Sequence, residues 1–148
     1  MARMPLIPDH PHRGFLHLVE RPARYAGPEH GAARVPAAAE ASLVLAFPDV
    51  YEVGCSNLGI TILYRIVERL GWAHVERAFA PWPDYARAIE ERGLPLLSRE
   101  TARPISSFDV VGFSLQHELT YTTVPWMLGL SGIPARSSGR RDGHPLVV

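Results

Sequence analysis

The feature that most constrains this chain is an almost unbroken apolar run, Ser42-Leu43-Val44-Leu45-Ala46-Phe47, stopped by Pro48-Asp49. A strand with water on one face alternates apolar and polar residues. A run without alternation belongs to a strand covered on both faces, as in a parallel sheet flanked by helices. The pattern returns along the chain. Val75 to Phe79 reads as a second strand, Asp109-Val110-Val111-Gly112-Phe113-Ser114 as a third, and Pro145-Leu146-Val147-Val148 opens a fourth. Helical spacing fills the gaps. Leu58, Ile62, Leu63, Ile66, Val67 and Leu70 form one stripe expected to face the core, with Gly71 as its stop. Pro81-Trp82-Pro83-Asp84 opens a short helix, Tyr85 to Arg92, ended by Gly93, and Leu94 to Leu97 reads as extended. Trp126, Met127 and Leu130 mark another helix, ended by Gly132, with Pro125 in its first turn. Alternating strands and helices predict an α/β fold, a Rossmann-like open, mainly parallel sheet with right-handed crossovers.

With 148 residues, 47% of them hydrophobic, the chain has the size and composition of a single packed domain. Residues 1–41 are expected to be a flexible or partly extended segment. Pro5, Pro8 and Pro11 forbid a helix around His10 and His12, and residues 28–41 are rich in Ala, Gly and Pro. Residues 42–148 form the expected α/β domain. The fourth strand would need a covering helix after it. The sheet is therefore expected to be incomplete at its C-terminus, a piece of something longer.

Several chemistries are excluded. Fifteen basic residues balance fifteen acidic ones, so the chain as a whole carries no basic footprint for nucleic acid. All fifteen are Arg, which removes Schiff-base and P-loop lysine mechanisms. Cys55 stands alone, so no disulfide framework, multi-cysteine zinc site or three-cysteine cluster motif exists in this chain. No apolar stretch approaches the length of a membrane span, and no secretory signal is evident, so a cytoplasmic protein without membrane contacts is expected.

In open α/β sheets ligands bind beyond the carboxyl ends of the strands, where strand order reverses. Two loops meet that description, Asp49 to Gly59 and Ser114 to Glu118. The first offers a carboxylate, a phenol, glycines and a helix N-terminus that favours polar or anionic groups. Equally, Asp49 and Ser56 or Asn57 could only cap the helix, with the glycines making the turn. Cys55 reads as a half-buried structural thiol and the His10, His12, His17 group as a chance grouping. His117-Glu118 reads as a solvated loop pair, and Trp82, Tyr85 and Trp126 as packing or domain-contact residues.

Phe47-Pro48-Asp49-Val50-Tyr51-Glu52-Val53-Gly54, Ser56-Asn57-Leu58-Gly59, Phe79-Ala80-Pro81-Trp82-Pro83-Asp84 and Asp109 to Gln116, taken in order, resemble the N-terminal part of radical SAM proteins that carry a cobalamin-binding-type domain. Glu20-Arg21-Pro22-Ala23-Arg24-Tyr25 resembles the opening of that group. The resemblance implies a Rossmann-like domain preceding a radical SAM barrel, which would be its partner. That barrel would hold a four-iron, four-sulfur cluster on Cys-x3-Cys-x2-Cys and cleave S-adenosylmethionine. This chain lacks the motif, so the resemblance implies no catalysis by it alone.

Cobalamin domains carry Asp-x-His-x-x-Gly after the first strand. Here the matching positions read Asp49-x-Tyr51-x-x-Gly54, and a phenol is a poor ligand for cobalt. Cobalamin, if held, would have no protein histidine on the metal. The resemblance gives Asp49, Tyr51, Gly54, Ser56, Asn57 and Ser114 as the cofactor-binding set, Ser114 lying near the nucleotide tail. The Gly-Gly that follows the fourth strand in such domains is absent. Two other readings stand beside this one. The domain could bind no cofactor and dock on a barrel, or it could be a flavodoxin-like nucleotide-binding domain, for which Gly54 and Gly59 have the wrong spacing.

Overall fold

A computed structural model describes residues 10–32, 35–36 and 39–148. Four parallel strands form one sheet in the order β2-β1-β3-β4: β1 Ala41–Phe47, β2 Ala73–Phe79, β3 Val110–Phe113 and β4 Leu146–Val147. This is the open α/β architecture expected. The helices are α1 Tyr51–Gly54, α2 Leu58–Glu68, α3 Pro83–Glu90 and α4 Thr123–Leu130. Pro125 sits in the first turn of α4, where its missing N–H breaks no helical bond. No helix among the described residues is long and apolar enough to cross a membrane.

Strand alternation divides the core in two. Val44, Ala46, Ala78 and Val111 face one side and pack with Tyr85 and Ile89 of α3 and Met127 and Leu128 of α4. Leu45, Phe47, Val75 and Phe79 face the other and pack with Ile60 and Tyr64 of α2. The first side thus has two helices over it, and the second has α2.

Two expectations need correction. Most of the stripe that sequence spacing directed inward points outward: Leu58, Ile62, Leu63, Ile66 and Leu70 are exposed, Leu58 at 71%, while Val67 packs on the sheet side. The helix carries apolar residues on both faces, and the β2–β1 surface takes the narrower set, Ile60 and Tyr64, because the Tyr64 ring also packs against the buried Arg77 guanidinium. The second correction concerns the flexible lead-in. Residues 1–9 lie outside the described residues, but between His10 and Ala26 the segment contributes buried side chains to the core. His12 Nδ1 and the Tyr85 hydroxyl share a hydrogen bond at 2.8 Å, Phe15, Leu16 and Val19 are buried, and Tyr25 stacks on Tyr85 at 3.7 Å. The prolines prevent a long helix here without preventing burial.

Candidate functional site

The strand order reverses between β1 and β3, so the crevice predicted for ligands lies between the loops following those strands. Asn57 caps α2 by accepting from the Ile60 N–H at 3.1 Å. Its amide nitrogen also reaches Gln116 Oε1 at 3.4 Å, and Gln116 Nε2 donates to Ser114 Oγ at 3.0 Å. The fold therefore brings Asn57 and Ser114 together through Gln116, which was noticed in sequence only as part of a loop. Below Ser114 runs a groove of about 320 Å³ lined by Leu43, Leu45, Leu63, Gly112 and Val148. A Cβ on Gly112 would stand 3.7–3.9 Å from Val148, Leu45 and Leu43 and would fill the groove floor.

The remaining members of the expected set serve the turn itself or lie elsewhere. Asp49 accepts from the N–H of Val50 at 2.7 Å, and its carbonyl accepts from Ala80. Gly54 is buried, and a Cβ there would lie 2.4 Å from the Phe79 ring, so its bareness answers to core packing. Ser56 donates to the Glu52 carbonyl at 3.0 Å. Cys55 is half-buried, with its thiol toward the same carbonyl.

Tyr51 lies on the β2 side of β1, away from Ser114. Its hydroxyl donates to Glu29, its ring meets Phe79 edge-on, and the Arg99 guanidinium lies 5.2 Å from the ring centre. Burial pushes the phenol pKa up and the Glu29 carboxylate adds to that, so the hydroxyl stays protonated.

Tyr51 opens onto an ionic cluster that motif reading missed. Arg77, in the middle of β2, donates through its backbone N–H and its Nε to Glu100 at 2.7 and 2.8 Å and pairs with Glu29 at 3.1 Å. Glu76, fully buried, accepts from the Thr101 N–H and hydroxyl and meets His74 Nε2 at 2.6 Å. Burial pushes its carboxyl up, but hydrogen bonds from Ser98, Thr101 and His74 outweigh this and hold it below the ordinary value. These contacts fasten the 98–101 loop to the outer edge of β2. The available signal was three ionisable residues, His74, Glu76 and Arg77, inside a strand whose neighbours demand burial.

Residues 59–148, more than half of the chain, match the family described as radical SAM proteins, N-terminal. The chain belongs to that family. The match covers α2 through β4, including Gly112, Ser114 and the 98–101 loop, and begins just after the Asp49–Asn57 turn. Comparison with curated proteins and with solved structures gives no match.

Proposed function

We propose that this domain seats on the catalytic domain of a radical SAM protein through the outer face of α2 and the uncovered half of the sheet beside it. The observation that carries this is the two-sided apolar character of α2. Ile60 and Tyr64 are spent on the sheet, yet Leu58, Ile62, Leu63, Ile66 and Leu70 form a second, outward stripe, extended by Trp72. These outward residues are apolar surface beyond what the helix uses on its own sheet, and an apolar patch of this kind marks an interaction surface. Family membership supports the choice of partner, because radical SAM proteins pair such an N-terminal region with a catalytic domain. The test is Ile62→Glu/Ile66→Glu in the full chain, mixed with a catalytic domain from the same family. The native chain co-elutes and the variant does not. Equal co-elution would overturn the reading.

A second reading, in which the domain also holds a cobalamin-type cofactor, is favoured by the groove under Ser114. The bare Gly112 and the leucines offer an apolar slot for the base of a nucleotide tail, with Ser114 and Asn57 at its rim. Bound there, cobalamin would supply alkyl-transfer chemistry. This chain's residues would hold the tail and supply no histidine to the metal, since Tyr51 is engaged with Glu29 on the far side of β1. Hydroxocobalamin retained by the native chain and lost in Ser114→Trp supports this reading. Equal retention by both, or by neither, removes it.

A further inference from the structure

Arg99 is the one residue of the ionic cluster whose charge the described residues leave without close hydrogen bonds. Its side chain is 5% exposed, and its Nε and Nη1 have no hydrogen-bond partner among the described residues. The nearest carboxylate oxygen, on Glu29, stands 3.9 Å from Nε, and Nη2 reaches only the Ala23 carbonyl at 3.4 Å. A buried guanidinium in this state is unfavourable relative to a satisfied one, so a further partner for it is expected. The Arg99 backbone is fixed, its N–H bonded to the Arg77 carbonyl at 2.7 Å, with Glu100 and Thr101 anchored just after it.

The surroundings define what could complete it. Arg99, Arg24 and Tyr51 line both an enclosed cavity of about 30 Å³ and an open cleft of about 780 Å³. The small cavity admits a small head group, and a planar carboxylate matches the planar fork of a guanidinium. The cleft is walled partly by Pro22, Ala23, Pro28 and the Tyr51 ring, apolar surface that suits an organic body. Charge agrees. Four guanidiniums, Arg21, Arg24, Arg77 and Arg99, face three carboxylates, Glu52, Glu29 and Glu100, so the cluster as a whole carries one positive charge in excess.

We propose that the cleft between the Arg21–His30 segment and the 98–101 loop binds a small organic monocarboxylate, its head group on Arg99 and its body against Tyr51 and the proline-lined wall. The site shares no residue with the groove under Ser114 or the outer face of α2, so it stands or falls independently of both.

The probe is sodium benzoate, titrated into the full chain at constant ionic strength, with inorganic phosphate titrated in parallel. The readout is the Arg99 Nε–H resonance in 1H–15N spectra. Benzoate should move that resonance saturably with a Kd of about 1 mM or tighter, and phosphate should not. Arg99→Gln, followed through the Trp82 indole beside Arg24, should weaken benzoate binding by about tenfold or more. Ala23→Asp, at an exposed position on the cleft wall, should abolish it by placing a tethered carboxylate beside Arg99. The proposal is overturned by a non-saturating benzoate response, which would leave water as the partner of Arg99. It is equally overturned by saturation with phosphate at the same strength, or by undiminished binding in Arg99→Gln.

Discussion

Gly54→Ala separates a packing glycine from a ligand-cradle glycine. The added methyl would sit 2.4 Å from Cδ1 and Cε1 of Phe79 and 3.0 Å from Cδ1 of Phe47. Comfortable carbon contacts lie near 3.5–4.0 Å, so the Phe79 ring must move by about 1 Å. That ring is held by Tyr51 edge-on at 5.4 Å and by the buried cluster around Phe47 and Tyr64. Overpacking of this kind costs about 1–3 kcal/mol. Alanine offsets up to about 1 kcal/mol through its helical preference, since Gly54 ends α1. The net expectation is a loss of about 1–2 kcal/mol, or about 2–8 °C in Tm for a chain of this size. Urea and thermal unfolding measure it. In a Phe79→Leu background the same change should be neutral or stabilising, a coupling of about 1 kcal/mol or more. If Gly54→Ala were as stable as the native chain, the packing explanation would fail. The glycine would then be bare for some other approach to the turn.

Two further perturbations concern acid. His12 is buried against Tyr85, and burial lowers its pKa to about 4, with His10 adding repulsion. A histidine depressed in this way is neutral when folded. Its contribution is whole above about pH 6.5 and is lost as pH falls toward 4, by up to about 3 kcal/mol. His12→Gln should flatten that slope in urea titrations run across the window. Glu76 behaves in a lower range. With its carboxyl held below the ordinary value, its contribution is complete above about pH 4.5 and disappears as pH falls through the lowered value. Glu76→Gln should cost about 1–3 kcal/mol at pH 7 by weakening the bonds from His74 and Thr101, and the difference from the native chain should shrink below pH 4.

The sheet was legible because its central strand must be dry on both faces, and Ser42 to Phe47 allows nothing else. The ends of the elements were legible to within a few residues, because Pro48, Gly71, Pro83 and Gly132 each forbid continuation. What failed was the choice of helix face. The periodicity of Leu58, Ile62, Leu63, Ile66 and Leu70 is genuine, but Ile60 and Tyr64 make a second apolar face one step round the helix. Period alone does not say which of two faces meets the sheet. The N-terminal segment failed for a different reason: proline density reports the absence of helix and says nothing of burial, and Tyr85 supplies the polar and stacking partners that seat His12 and Tyr25. At the site, the crevice between the β1 and β3 loops followed from topology, and Ser114 and Asn57 are both there. Tyr51 lies apart because Glu29, 22 positions earlier in the chain, captures its hydroxyl. Such long-range ionic partners leave no local pattern.

The outward face of α2 is the point on which the functional account turns. Amide hydrogen exchange over residues 58–72, compared with and without a radical SAM catalytic domain of the same family, reads it directly. Slowed exchange centred on Ile62, Leu63 and Ile66, abolished by Ile62→Glu/Ile66→Glu, is the expected result. Unchanged exchange across that face, with protection arising elsewhere on the chain, would contradict it.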